Sequence, residues 1–366
     1  MQFTTPELSY KAYGYKNSNS PVVQFTKQLK LVPSPSTSEG GTPTYVIPDD
    51  KILIKIHYAA LNPVDIKLRQ VAFPLLAYFS RAGPYIGIGR DFSGEVVSVG
   101  SKITNVKVGE FIQGFYPGTF ADGTVGEYFS VSPSELVFHP IPSNITPLQA
   151  AAWPLVFGTA ITLASGLELE GKKILVLGGG TTVGRFLTQI LHIEKAKEVV
   201  VTCSQSSREI LTKYGATSII DYKAHKNIAN PVLESVKETG EFDHIIDCWG
   251  GNELFKHMNT IIKRGGYYKT IVGDYSGSSG GVLMCATFMG FYRMTMSKLN
   301  LSRYKYWLGL LPNDPTWMEK GCKYIEDGGI DIPIDHIYNF DEFDKALEKL
   351  EEHSAKGKLV VKVIGD

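Results

Sequence analysis

Residues 173 to 184 read KILVLGGGTTVG, and no other segment restricts the possible fold so tightly. A short apolar run, Ile174 to Leu177, ends in Gly178, Gly179 and Gly180. Beyond Val183 and Gly184 a helical pattern places Phe186, Leu187, Ile190 and Leu191 on one face. Strand, tight turn and helix in that order open a parallel βαβ unit. Glycines in such a turn let the backbone approach a pyrophosphate, whose charge meets the unpaired N–H groups at the helix start. Gly178, Gly180, Thr181, Thr182 and Val183 are therefore candidate dinucleotide contacts. The spacing is G-x-G-x-x-x-G, with Val183 where the third glycine of the common fingerprint would fall. Pattern alone leaves a plain glycine-rich βα turn as the alternative.

The surroundings extend the βαβ reading. From Pro147 onward helix-like and strand-like stretches alternate: helix 147–165, strand 174–177, helix 185–193, strand 199–202, helix 208–214, strands near 218–220 and 244–247, helix 253–262 and strand 267–272. This alternation predicts a doubly wound parallel sheet with its ligand crevice at the strand carboxyl ends. Up to about residue 145 the pattern is instead short alternating or apolar runs broken by Gly, Pro, Ser and Asn, as in Ile52 to Ile56 and Gly94 to Val99. Strand 337–340, helix 343–351 and strand 358–363 return to that texture. The expected organisation is an α/β chain with a β-rich catalytic domain over 1–146 and 310–366. A dinucleotide-binding domain over 147–309 is inserted in it, with the active cleft between the two.

At 366 residues the chain has room for two cores. Lys plus Arg and Asp plus Glu are each 37, and no block of like charge stands out, which argues against a nucleic-acid partner. Cys203, Cys248, Cys285 and Cys322 are far apart and form no C-x-x-C pair, so they read as reduced structural thiols. The amino-terminal stretch shows neither a signal-peptide nor a transit pattern, and a cytoplasmic location is expected. Pro33 to Pro43 reads as a polar loop without chemistry. Gly281 to Leu311 is rich in Leu, Met, Phe, Tyr and Trp, but Arg293, Lys298, Arg303 and Lys305 interrupt it well short of the roughly 20 apolar residues a membrane span needs. Buried helix, dimer surface and substrate wall are the leading readings, and peripheral attachment to lipid stays open beside them.

Six segments in order along nearly the whole chain carry a family resemblance: AALNPVDIKLR at 59–69, GRDFSGEVVSVGSKITNVKVGEFIQG at 89–114, AAWPLVFGTA at 151–160, the glycine turn, FDHIIDCWGG at 242–251 and AKGKLVVKV at 355–363. Together they resemble the medium-chain dehydrogenase/reductase superfamily, in its zinc-free quinone-reductase-like branch, and within that a fungal group with altered glycine loops, some of them associated with lipid particles or mitochondrial surfaces. The resemblance implies a GroES-like domain with an inserted Rossmann domain. Zinc-dependent members carry Cys where this chain has Asn62, and Gly-His-Glu where it has Gly89-Arg90-Asp91. Without thiolate and imidazole the open tetrahedral site is not expected, and no metal is assigned. The chemistry implied is hydride transfer from a reduced nicotinamide to a small apolar quinone or to the β-carbon of an enone. Asn62, through its amide, and Lys67, through its charge, are the candidate catalytic donors to the oxygen where negative charge develops. A turn residue and a solvated helix lysine are the plain alternatives, and Asp65 reads as a helix cap.

A binder of unphosphorylated coenzyme places Asp or Glu at the end of the second strand, about 20 residues past the loop. Here that position reads Thr202-Cys203-Ser204-Gln205, without a carboxylate, while Ser204, Ser206, Ser207 and Arg208 suit a 2′-phosphate. NADPH is the expected cofactor. The resemblance adds Tyr222 and Lys358 near the same phosphate, and Thr159, Cys248 and Gly273 along the nicotinamide end. It also implies a homodimer through nucleotide-domain edge strands. Aromatic and Met side chains at 73–85 and 288–296 are candidates for an apolar pocket. The competing reading is a fold-retaining binding or trafficking protein, weak or inactive as an enzyme, at a lipid-droplet or mitochondrial outer-membrane surface.

Overall fold

Two runs of strands with opposite habits make up the protein, and each builds its own unit. The computed structural model describes residues 2–34, 43–72, 84–274 and 280–364, with side chains from 288 onward in the last of these. One unit comprises residues 1–155, 313–328 and 332–366; the other comprises 156–312 with 329–331. The first boundary falls after Leu155 rather than after residue 146, because helix Pro147–Ala152 lies against strands Asp91–Val99 and Ile52–Leu61. Pro154 starts a separate helix, Pro154–Ala164, so the single helix expected over 147–165 is broken at Trp153.

In the first unit, strand Ile52–Leu61 is the hub. It pairs antiparallel with Asp91–Val99, with Tyr128–Val131 and with the late strand Lys358–Lys362, which itself pairs in parallel with Ile334–Asn339. A second antiparallel sheet orders Val23–Lys30, Glu7–Tyr15 and Ile86–Gly87. Ile52, Ile54, Ile56, Phe92, Val96, Phe129, Leu359 and Val361 alternate inward from these strands into one apolar core. Helix Phe343–Glu351 adds Phe343, Ala346, Leu347 and Leu350 at helical spacing.

The second unit is a six-stranded sheet in which every adjacent pair is parallel. Its order is Ser218–Asp221, Glu198–Cys203, Lys173–Leu177, Phe242–Asp247, Ile262–Thr270, Lys305–Leu308. The order reverses at Lys173–Leu177, which is the switch point where doubly wound sheets take ligands. This strand is buried along its length, as a central parallel strand must be. The helix expected over 253–262 is instead a 3-10 turn, Phe255–His257, followed by a short α-helix, Met258–Ile261. Helix Ala229–Thr239 had no expectation attached to it, and Lys305–Leu308, inside the stretch 281–311 read first as buried helix, dimer surface or substrate wall, is an edge strand.

Candidate functional site

The switch point opens on the glycine turn, and the turn is organised from within. Thr181 is the N-cap of helix Thr182–Ile193. Its hydroxyl donates to Gly178 O at 2.8 Å and accepts the Gly184 amide at 3.0 Å. The residue that stands in place of a glycine thus has its hydroxyl committed to its own turn. The amides of Thr182 and Val183, in the first turn, have no partner inside the helix and form its positive end.

The glycines have a second reason to be there. A Cβ on Gly179 would stand 1.9 Å from Val201 Cγ1, and one on Gly184 would stand 2.4 Å from Gly178 O. Gly178 has φ +74°, and a Cβ there would meet Trp249 Cβ at 2.8 Å. These three are required by the close approach of turn, strand and helix. Gly180 differs in that its nearest neighbour would be Ser207 Oγ at 3.2 Å.

Next to the turn, buried Asp247 closes strand Phe242–Asp247 and fixes two loops at once. Its Oδ1 accepts the amides of Trp249 and Gly250 at 3.0 and 2.7 Å, and its Oδ2 accepts the hydroxyls of Tyr268 and Thr270. Thr270 Oγ1 in turn accepts the amides of Val272 and Gly273. Burial pushes the Asp247 carboxyl upward and these hydrogen bonds pull it back. The sequence reading missed Asp247, although an acid at the end of an apolar strand was the available signal. Gly273, at φ +86°, sits on this scaffold. Cys248 does not present its thiol: it is buried, its amide donates to Leu177 O at 2.9 Å, and desolvation raises its pKa. Trp249 instead stands out, with 59% of its surface exposed. Thr159 is buried in helix Pro154–Ala164.

On the other side of the switch point, Cys203 pairs with Asp221, so the segments after both residues leave neighbouring strand ends. Ser204 Oγ and Ser206 Oγ lie 3.0 Å apart, and exposed Arg208 donates through Nε to Gln205 Oε1. Tyr222 is exposed. Ser207 corrects the expectation: it is buried under Gly180, and Ser206 is the exposed hydroxyl of the pair. Asp221 is a carboxylate on the adjoining strand, with Oδ1 accepting the Lys223 amide.

The first unit holds a separate cluster, and it revises three assignments. Asn62 is fully buried. Its amide nitrogen donates to Asp91 Oδ2 at 2.9 Å and, at 3.4 Å, to Ala60 O, while its Oδ1 accepts the Lys358 ammonium at 2.5 Å. Both amide hydrogens are used inside the core, so the oxyanion donation expected of Asn62 is withdrawn. Lys358, 2% exposed, also reaches Asp91 Oδ2 at 3.0 Å, and a buried ammonium so engaged cannot close on a coenzyme phosphate as expected. Lys67 is exposed on helix Pro63–Val71, while Asp65 on the same helix is buried; two residues on, the helix has carried Lys67 away from the cluster. Asp65 caps as read, accepting the Asn62 amide at 2.8 Å. Asp91 Oδ1 accepts the Leu155 amide. Desolvation raises Asp91, opposed first by Lys358, and pushes Asp65 up to about 6, opposed first by Arg90. Arg90, Asp91 and Asp65 are the members of this cluster that were not proposed as chemically active.

Among the described residues no group of three or more His, Cys, Asp or Glu side chains is placed to hold a metal ion, and no helix is long and apolar enough to cross a membrane. Phe73 to Phe79 of the expected apolar pocket, most of the Pro33 to Pro43 loop and the Cys285 side chain lie outside the described residues.

A GroES-like β unit and a parallel sheet with this strand order define the class as medium-chain dehydrogenase/reductase, an oxidoreductase fold. Residues 48–143 match the model described as alcohol dehydrogenase GroES-like domain, and residues 214–361 match that described as zinc-binding dehydrogenase. Among solved structures, the quinone oxidoreductase from Coxiella burnetii superposes with a TM-score of 0.73 at 22% identity, covering 98% of this chain and 100% of that one. Protein YIM1 of Vanderwaltozyma polyspora is 34% identical over 338 residues, 86% of this chain and 91% of its own length. Protein YIM1-2 of Lachancea thermotolerans is 30% identical over 377 residues, 98% and 99% of the two chains. The chain belongs to the YIM1 group of fungal proteins within the medium-chain dehydrogenase/reductase superfamily.

Proposed function

We propose that this chain is an NADPH-dependent reductase that transfers hydride to quinones or to α,β-unsaturated carbonyls without a metal. One observation carries the coenzyme part: the capped amino terminus of helix Thr182–Ile193 stands at the switch point of a six-stranded parallel sheet, with its glycine turn bridged by the Thr181 hydroxyl and Asp247-fixed loops beside it. The residues fit a dinucleotide, since first-turn amides can take the pyrophosphate and exposed Trp249 offers a flat apolar face next to the turn. Ser204, Ser206, Arg208 and Tyr222 favour the 2′-phosphorylated form, because the segment after Cys203 brings hydroxyls and a cation where a carboxylate would select against it.

The coenzyme supplies the hydride. A quinone takes it together with one proton to become the hydroquinone; an enone takes it at the β-carbon and a proton at the α-carbon to become the saturated carbonyl. The donor set at the buried cluster, an amide, a guanidinium, an ammonium and two carboxylates, is one that compensates charge internally and provides no thiolate or imidazole ligand. Purified protein assayed with NADPH against 9,10-phenanthrenequinone and a 2-alkenal tests the reading. Coenzyme oxidation matched to product is the result expected, and its absence with both acceptors counts against the enzyme.

A second reading has its own observation. Helix Gly280–Lys298 exposes Phe288, Phe291 and Tyr292 at 72%, 58% and 52%, which suits docking to a lipid or protein surface. Flotation with anionic and neutral vesicles, without coenzyme, separates this from the reductase.

A further inference from the structure

The two loops that Asp247 fixes are also held at their far ends, by one side chain on helix Gly280–Lys298. Arg293 donates through Nε to Asp274 Oδ2 at 2.8 Å, and its guanidinium carbon lies 3.5 Å from the centre of the Phe255 ring. Asp274 directly follows Gly273 on the loop leaving strand Ile262–Thr270, and Phe255 stands at the far end of the loop leaving strand Phe242–Asp247. Asp274 is 6% exposed, and its Oδ1 accepts the Tyr306 hydroxyl at 3.2 Å. Both of its oxygens are therefore engaged away from their own loop.

A layer of rings fills the space between the two anchors. Tyr268 donates to Asp247 and Tyr306 to Asp274, and the two rings stack at 5.6 Å with 4° between their planes. Phe255 packs against both, at 5.1 and 6.2 Å. Loop 248–255 thus starts on the Asp247 carboxylate and ends under Arg293. Loop 271–274 starts on Thr270, itself held by Asp247, and ends on Asp274, held by Arg293. Ile271 and Val272, between the anchors of the second loop, remain partly exposed.

We propose that Arg293 is a positioning residue for the nicotinamide half of the coenzyme: through Asp274 and Phe255 it fixes loops 248–255 and 271–274 in the form that receives that half. The inference rests on the coenzyme part of the reductase reading. With the pyrophosphate at the start of helix Thr182–Ile193 and the phosphorylated ribose beside Ser204 to Arg208, the adenosine half takes one side of the switch point. The other half of an extended dinucleotide crosses to the opposite side, where strands Phe242–Asp247 and Ile262–Thr270 end in the two doubly anchored loops. At ordinary strand spacing the second of these ends lies about 10 Å from the glycine turn. Loops already ordered lose little freedom when a ligand arrives. Released at one end, they lose more, and affinity falls for the part of the ligand that touches them.

The test uses the full chain and calorimetry with two ligands, NADPH and 2′,5′-ADP, the second lacking the nicotinamide half. Arg293→Gln is expected to bind NADPH about tenfold more weakly and 2′,5′-ADP within about twofold of wild type. Arg293→Lys keeps a cation opposite Asp274 and should recover NADPH affinity to within about threefold. Equal loss for both ligands is a general loosening of the unit, and unchanged NADPH affinity leaves the pair without a role at the coenzyme; either overturns the proposal. A second measurement needs only wild type: hydrogen exchange in the peptide covering residues 268–274 is expected to slow with saturating NADPH and not with 2′,5′-ADP. Equal exchange with the two ligands overturns the placement even if no variant folds. Wild type that binds neither ligand removes the coenzyme reading and this proposal with it, whereas wild type that binds both and is matched by Arg293→Gln removes the positioning role alone.

Discussion

Thr181 and Gly184 are joined through the Thr181 hydroxyl, which accepts the Gly184 amide at 3.0 Å while donating to Gly178 O. The side chain that breaks the usual glycine spacing is thereby part of the helix start. Removing the hydroxyl in Thr181→Ala is expected to lower stability by about 1 kcal/mol, and Thr181→Gly by a few tenths. Because the hydroxyl is committed internally, NADPH affinity should stay within about tenfold in both. Urea midpoints and calorimetry check the two halves; a hundredfold loss of affinity would show that the hydroxyl serves the phosphate instead.

Gly179 answers to Val201. A methyl at Gly179 meets Val201 Cγ1 at 1.9 Å, so Gly179→Ala is expected to cost about 1–3 kcal/mol by overpacking. Val201→Ala in the same chain should recover part of that loss, a coupling read from the double-mutant cycle in urea. Strict additivity would place the strain elsewhere.

Lys358→Met leaves the Asp91 carboxylate buried with its charge uncompensated. A loss of about 3–5 kcal/mol is expected, and Asp91→Asn combined with Lys358→Met should be less harmful than the lysine change alone. Thermal unfolding of the wild type and of these two variants measures this. A mild effect of Lys358→Met, near that of a surface substitution, contradicts the burial of the pair.

Much of this architecture could be read from periodicity. Ile174 to Leu177 followed by three glycines, and Phe186, Leu187, Ile190 and Leu191 at helical spacing, announced the switch point because a strand–turn–helix junction is written in local sequence. Helix Phe343–Glu351 was legible for the same reason. The charged cluster was not, because its members come from residues 62, 65, 90, 91 and 358 and only tertiary folding decides which amide hydrogens and carboxylate oxygens are already taken. Motif matching gave Asn62 and Lys358 roles facing outward; 296 residues apart, they face each other. Ser207 failed similarly, since a serine three or four places past a strand end carries no local mark of which hydroxyl turns inward.

Asp65 sets a pH dependence. Its carboxyl, normally near 3.8, is pushed up to about 6 by burial, against the pull of Arg90 and the Asn62 amide, with Asp91 and Lys358 the other charges facing it. The folded state therefore holds this proton more tightly than the unfolded chain does. The stability that follows is present below about pH 4 and is lost as pH rises toward about 6, after which the curve levels. Asp91, also raised, acts in the same direction. Urea midpoints of wild type and Asp65→Asn across pH 4 to 7 should show a shallower decline in the variant. Identical pH slopes would contradict the buried, proton-retaining carboxyl.

The central claim is that a phosphorylated dinucleotide binds at the turn capped by Thr181. Calorimetric titration of the purified chain with NADPH and, separately, NADH tests it directly. Saturable NADPH binding in the micromolar range is predicted, at least about tenfold tighter than NADH, with the difference narrowed in Arg208→Gln. No binding heat from either coenzyme at millimolar concentration would contradict the account.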